Sequence, residues 1–263
     1  MKIVISDPIK VKIFATIFRQ LKNMISDINM NLDEDKMYIQ GMGEAQACLF
    51  ELLIQKDWFE EYEVDIPQIL GIHCESIFKM INCLQDGQKI TMSKEITDNT
   101  LSVKFDSITE DVKTIKKNFD MRLLSIDSEQ VTIPEQEYEA DIIINSDQFA
   151  SLVTQLGIFG EELRINCNME TIDISSTGDH GCMTVSIKDD DITEYAIEED
   201  GMVTLLFASR FIQNICAFSK INKEMYIHCS NDTPIKLHYS LDDINSKDSK
   251  NYVRFFVAPK IED

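Results

Sequence analysis

Glycine and proline are scarce in this chain: 9 Gly and 5 Pro among 263 residues leave little material for disordered linkers, so compact structure is expected throughout. Basic residues are also in short supply. With 25 Lys and Arg against 46 Asp and Glu, the net charge is -21, which excludes generic coating of a polyanion or an anionic membrane and confines any such contact to a local basic surface. No apolar run reaches the roughly 18 to 20 residues that span a bilayer. Met1 to Lys12 lacks the apolar core and small-residue cleavage site of a signal peptide. A soluble, intracellular protein without a membrane partner is the expectation.

The familiar signatures of chemistry are missing too. The seven cysteines (Cys48, Cys74, Cys83, Cys167, Cys182, Cys216, Cys229) are an odd number without a C-x-x-C pair and mostly have apolar neighbours, so they read as reduced core thiols. His73, His180, His228 and His238 are scattered and lack zinc-site spacing. No phosphate-binding loop or dinucleotide fingerprint occurs, and Gly41-Met42-Gly43 is too short to count as one. The acidic runs Asp189-Asp190-Asp191 and Glu198-Glu199-Asp200 read as solvated loop faces rather than a cation site. No metal, cofactor or catalytic centre is expected.

What is present is a doubled pattern of alternating helix and strand signals. Asp7-Pro8 opens a helical stripe at Ile9, Ile13, Ile17, Leu21 and Met24. Ile28, Met30 and Leu32 alternate with polar residues, and Met37 and Ile39 do so after the acidic turn Asp33 to Asp35, which predicts a hairpin. Further strands are predicted over Ala47 to Ile54, Tyr62 to Ile66, Lys89 to Ser93 and Leu101 to Phe105, with a second helix over Glu75 to Leu84. Phe14-Ala15 followed by Gln20-Leu21 reappears as Phe149-Ala150 followed by Gln155-Leu156, an offset of 149 - 14 = 135. Met42-Gly43-Glu44 and Thr177-Gly178-Asp179 fall at the same offset. A repeat this long is two copies of one domain rather than a solenoid unit. Between the copies, Leu123 to Tyr138 turns acidic and polar around Pro134, as suits an exposed linker.

That linker and the C-terminus carry a resemblance. Gln130-Val131-Thr132-Ile133-Pro134-Glu135-Gln136-Glu137-Tyr138 resembles the interdomain connecting loop of the proliferating cell nuclear antigen family of DNA sliding clamps. Val257-Ala258-Pro259-Lys260-Ile261-Glu262-Asp263 resembles the family's C-terminal segment. The match spans essentially the whole chain and is thinner over Met1 to Asp120. It implies an α+β fold of two similar domains, each with two helices backed by β-sheet: 1–122, a connecting loop 123–138, and 139–263. It further implies three copies closed head to tail around duplex DNA, with polymerase, clamp loader and other proteins recruited through a short peptide, and no chemistry performed by the clamp itself. Localisation in the nucleus, or another site of DNA replication, goes with it.

The resemblance also carries over residues. Met42, Ala47, Leu49, Val131, Ile133, Pro134, Pro234, Phe256, Ala258 and Pro259 are expected to converge on an apolar partner groove, with Gln46 and the backbone near Ala258 on its polar rim. Taken singly, Leu49 and Ile133 have a plainer reading as core or strand residues. For DNA the candidates are Lys10, Lys12, Arg19 and Lys22 on the first helix, Lys79 on the second, and Arg210 and Lys220 near the fourth. The third helix, about Asp147 to Leu156, offers no cation. Each lone lysine has the alternative of pairing with surplus carboxylates. A strand over Asp111 to Met121 with Phe119 and Met121, and one over Met183 to Ile187 with Met183 and Val185, are the expected subunit edges. Two rivals stay open inside the fold: a checkpoint-type subunit of a heterotrimer, and a clamp-like protein that sequesters partners and seldom encircles DNA.

Overall fold

In a computed structural model of the chain, all residues are described except 44, 96, 110–113, 128–129, 135, 243–248 and 261–263. The first half runs β1 (Lys2–Ile5), α1 (Pro8–Leu21), β2 (Asp27–Leu32), β3 (Lys36–Met42), β4 (Cys48–Gln55), β5 (Glu61–Glu63), β6 (Gln68–His73), α2 (Cys74–Ile81), β7 (Gln88–Ser93), β8 (Thr100–Ser107) and β9 (Lys117–Arg122). The second half runs β10 (Ala140–Asn145), α3 (Ser146–Leu156), β11 (Glu162–Cys167), β12 (Thr171–Gly178), β13 (Gly181–Lys188), β14 (Glu194–Ile197), β15 (Val203–Ala208), α4 (Ser209–Cys216), β16 (Glu224–Cys229), β17 (Ile235–Ser240) and β18 (Tyr252–Val257). The element order of one half is the element order of the other.

Helix starts repeat with the order. The Asp7 carboxylate accepts from the backbone N–H of Ile9 at 2.8 Å and of Lys10 at 2.9 Å, and Pro8 supplies the first helical residue of α1. Asn145 caps α3 in the same way, accepting from Asp147 N at 3.1 Å and Gln148 N at 3.0 Å. Each cap contributes on the order of 1 kcal/mol. The shorter α2 and α4 start without a side-chain cap and are held by packing, α2 on β6 and α4 on β15.

Two compact units result: Met1–Glu44 with Glu51–Gln130 and Asp248–Tyr252, and Ala45–Phe50 with Val131–Lys247 and Val253–Asp263. In the first unit one antiparallel run is ordered β5-β1-β7-β8-β9 and another β3-β2-β6. In the second the runs are β14-β10-β16-β17-β18 and β13-β12-β11-β15. Adding one half's strand count, nine, turns β5-β1-β7-β8-β9 into β14-β10-β16-β17-β18 and β3-β2-β6 into β12-β11-β15, to which the second unit adds β13. Each helix pair packs together, α1 on α2 and α3 on α4, and α1 and α3 lie on β7 and β10. Phe14 and Phe149, equivalent by the 135-residue offset, are each 1% exposed. In the second unit Phe255 packs against Phe50 and Phe218 with ring centroids 5.6 and 4.9 Å away.

Several boundaries differ from the sequence reading. The second helix ends at Ile81 rather than Leu84, and the strand expected over Tyr62 to Ile66 is the three-residue β5. Helical spacing alone does not register the turn that precedes Gly87, whose φ is 80°. The strand expected from Asp111 begins at Lys117, residues 111–113 lying outside the described set. Among the cysteines, Cys83 and Cys182 are exposed and the other five are buried, all as free thiols.

The segment between the halves is anchored at its start, although most of its described residues are exposed. Leu123 is 7% exposed, Leu124 N–H donates to Gly71 O at 2.8 Å, and Asn29 Nδ2 donates to Ile126 O at 3.1 Å. A Cβ at position 71 would sit 2.3 Å from Leu124 O, so only glycine admits this close strap. From Val131 to Tyr138 the described residues are exposed apart from half-buried Ile133 and Tyr138. The second unit has its own strap, where Lys260 N–H donates to Leu206 O at 2.7 Å. Leu206 is the repeat partner of Gly71, since 71 + 135 = 206.

Candidate functional site

Most of the expected groove residues fall within the second unit. Alternation along β18 sends Val253, Phe255 and Val257 inward, all fully buried, and turns half-buried Phe256 to the opposite face. On β4, Phe50 packs against Phe255, and Leu49, its neighbour in the strand, points to the other face and is also buried. The Ala258 N–H donates to Ala47 O at 2.9 Å, which binds the tail to the approach of β4. Pro234 is exposed at the head of β17, after a turn in which Thr233 Oγ1 donates to Ser230 O at 3.3 Å. Ala258 is exposed and Pro259 half-buried.

Other members differ in character from the expected wall of open anchors. Leu49 is only 8% exposed, so it is part of the packed strand rather than an accessible surface. The Ala258 N–H is used internally, which leaves its carbonyl as that residue's rim group. Gln46 is exposed and has a φ of 52°, while Asp232, in the turn before Pro234, has a φ of 59°. Such left-handed backbone is uncommon outside glycine. Val131 is 47% exposed, Pro134 exposed and Ile133 half-buried in coil. Met42, 40% exposed at the end of β3, belongs to the first unit.

The far end of the linker is fixed by ring contacts. Tyr138 packs against His228, the rings tilted by 38° with centroids 5.4 Å apart, and Lys236 Nζ lies 5.4 Å from the Tyr138 ring. His228 Nδ1 is 2.5 Å from Asp141 Oδ1. None of these long-range partners carried a signal in the local sequence pattern.

On the helices, Lys12 is exposed on α1, with Arg19 two turns further and half-buried, its guanidinium 3.5 Å from Ile81 O. Lys10 is turned away from that surface: its Nζ donates to Trp58 O at 2.7 Å and lies 5.3 Å from the Trp58 ring. Lys22 sits 3.3 Å over the Phe78 ring. Lys79 pairs with Glu75 at 3.3 Å, and Lys220, beyond the end of α4, pairs with Asp147 at 2.9 Å. Arg210 is exposed at the start of α4, against Phe211 at 4.9 Å. The outer face of α3, with Gln148, Ser151, Thr154 and Gln155, is exposed and carries no cation.

Among the described residues no three His, Cys, Asp or Glu side chains are grouped to hold a metal ion. The most displaced imidazole is His238 on β17, pushed down to about 3 chiefly by burial, with Arg254, Lys236 and His228 adding to the shift. Its neutral form is therefore native. The unfolded chain takes up this proton as pH falls through 6.5 and the folded chain does not until far lower, so stability is complete above 6.5 and declines below it. The limiting slope is ~1.4 kcal/mol per pH unit. In thermal melts from pH 7 to about 5, above most carboxylate titrations, His238→Asn is expected to flatten the acid loss of stability. A variant that tracks the parent chain would remove His238 as its source.

Sheet ends complete the inventory. β6 and β15 are covered by the straps at Leu124 and Lys260, and β5 and β14 are only three and four residues long. The longer β9 and β13 are outermost in their runs, with no further strand beside them among the described residues. Phe119, Met183 and Val185 are half-buried there, and Met121 is 9% exposed.

Comparison with known proteins agrees with this doubled architecture. The family model for the N-terminal domain of proliferating cell nuclear antigen matches residues 9–130, and that for its C-terminal domain matches residues 132–260. The proliferating cell nuclear antigen of Chaetomium thermophilum is 27% identical over 248 residues, covering 92% of this chain and 92% of that protein. Two successive domain matches over a chain whose halves repeat element for element lead to one conclusion: it belongs to the proliferating cell nuclear antigen family of sliding clamps.

Proposed function

We propose that three copies of this chain close into a ring that encircles duplex DNA and tethers a polymerase and other peptide-bearing partners to it at a site of DNA replication. The observation that carries this reading is the pair of open edges on β9 and β13. By the internal repeat, β9 corresponds to β18 and β13 to β4. In the second unit the start of β4 already lies beside β18, joined by the Ala47–Ala258 hydrogen bond and the Phe50–Phe255 contact. Each chain thus makes one such junction internally and carries the two halves of another on its edges. Pairing β9 of one copy with β13 of the next is a heterologous contact, which ends in a ring when its rotation closes. Ring closure also removes strand edges that would otherwise template aggregation.

A ring of this kind holds DNA by enclosure. Of the seven candidate cations, Lys10 faces Trp58, Lys22 lies over Phe78, Lys79 and Lys220 are paired with carboxylates, and Lys12, Arg19 and Arg210 are the best placed for phosphate. The exposed pairs are weak, worth less than about 1 kcal/mol, so a phosphate can displace them. Each phosphate neutralised adds about 0.9 to the logarithmic salt slope. Loaded on nicked circular DNA, the ring is expected to survive high salt and to leave after the circle is linearised, and a cognate polymerase is expected to extend further on the circle than on the linear template. Equal retention on both forms would overturn enclosure. The thin, partly self-paired lining favours one second reading, a clamp that sequesters partners: polymerase binding without any circular retention would select it.

A further inference from the structure

Alternation along β16, β17 and β18 buries one side of the sheet and leaves His228, Lys236, His238, Arg254 and Phe256 half-buried on the other. His228 and Lys236 are cross-strand partners. Tyr239 meets Phe255 on the core side with centroids 6.4 Å apart, which puts Arg254 and Phe256 on the same outward face as Lys236 and His238. This face borders the groove. Pro234 precedes Lys236 by two residues and Phe256 follows Arg254 by two, so each cation stands about 7 Å along the chain from a groove residue. Asp141, the carboxylate beside His228 in the register, is 2.5 Å from its Nδ1. Burial, and then Arg254, Lys236 and His228, hold the His238 imidazole neutral, so the charged neighbours that act on it are basic. In a chain of net charge -21 this is a local reversal of sign. Lys236 and Arg254 belong neither to the groove wall nor to the cations of the helices.

We propose that Lys236 and Arg254 form a cationic shelf beside the groove and select partner peptides that carry aspartate or glutamate next to their apolar anchors. This rests on the peptide groove proposed above and names the flank that the groove prefers. A peptide anchored at Pro234 and Phe256 has neighbouring residues on either side of its anchors, and those that run along β17 and β18 pass over the two cations. The Arg254 guanidinium can take a carboxylate in bidentate fashion, and the Lys236 ammonium takes it as a point charge. Lys236 is held against the Tyr138 ring at 5.4 Å, which lowers the cost of ordering its side chain when a peptide arrives. Both cations are half-buried, and a partly desolvated charge attracts more strongly than one in bulk water. Attraction here is local: salt at 0.1 M screens over about 10 Å, so a carboxylate on the shelf meets these two cations at contact range and the acidic remainder of the chain only weakly. Lysine or arginine in the same flank is repelled, so the shelf discriminates as well as attracts.

The test is calorimetry on the full chain at about 0.1 M salt, with helical peptides of identical anchors that differ only in a flank of Asp-Asp or Asn-Asn. One pair of peptides carries the flank before the anchors and a second pair carries it after them. In one of the two pairs the carboxylate peptide should bind about fivefold tighter. Raising the salt to about 0.5 M should close most of that gap. Lys236→Glu should reverse the order within the same pair, the Asn-Asn peptide then binding tighter. Should that variant fail to fold, the parent chain's preference and its salt dependence decide alone. Equal affinities in both pairs, or tighter binding of the Asn-Asn peptides by the parent chain, would overturn the shelf and leave the groove standing. Binding of none of the four peptides would remove the groove, and the shelf with it.

Discussion

Phe119→Asp on β9 and Val185→Asp on β13 are each expected to convert the assembly into free chains, shifting the mass by light scattering from about three times 30.2 kDa to 30.2 kDa. Both residues are half-buried on edges that the repeat assigns to one junction. A carboxylate placed there must be desolvated for the edges to pair, a cost of several kcal/mol per junction in the absence of a cation. The sharper outcome comes from mixing. The Phe119→Asp chain keeps an intact β13, and the Val185→Asp chain keeps an intact β9, so a 1:1 mixture can rebuild one junction and no second one. It should give dimers of about twice 30.2 kDa and no larger ring. An isologous contact, in which each patch meets its own copy, predicts no rescue by mixing. Phe119 also packs on buried Phe105 with centroids 5.3 Å apart, so the Val185 variant shows whether the first unit's fold or the edge is at fault. A parent chain that stays at 30.2 kDa alone and assembles only with a different subunit would point to the heterotrimeric checkpoint type.

Local signals in the sequence were the ones that predicted local structure. Asp7-Pro8 foretold the cap of α1, and the turn after Leu32 closes as expected, Asp33 N–H donating to Lys36 O at 3.1 Å. The 135-residue repeat foretold the doubled element order because buried faces such as Phe14 and Phe149 must keep their spacing. What was hidden is what depends on residues distant in the chain. Lys10 reads as a surface cation until Trp58, 48 residues away, takes its ammonium, and Lys220 until Asp147 does the same from 73 residues away. The strap at Leu124 was illegible for a related reason: nothing local says which strand an apolar residue will cross, and Gly71 looks like any strand glycine until the carbonyl above it is seen. Strand openness is absent from the local pattern in the same way, since β9 and β13 differ from inner strands only by which neighbours they lack, and the resemblance alone named them as edges.

Ile133→Ser is expected to weaken a family-type helical peptide about tenfold in calorimetry while leaving the assembly's mass unchanged. Full burial of an isoleucine stabilises by roughly 1.5 to 3 kcal/mol. Ile133 is already half-buried in the free chain, so a bound peptide removes only the rest of its surface from water, which brings the loss to about 1.4 kcal/mol, or a factor of ten. Leu49→Ser supplies the contrast. Leu49 has 8% of its surface left to bury, so its replacement should be felt in unfolding, at about 2 to 5 kcal/mol for a truncated core leucine, well before it is felt by the peptide. The two substitutions thus separate a wall of the groove from the strand beneath it. Peptide affinity that survives Ile133→Ser but falls with Leu49→Ser in a fully folded chain would reverse that assignment and move the anchor site from the linker to β4.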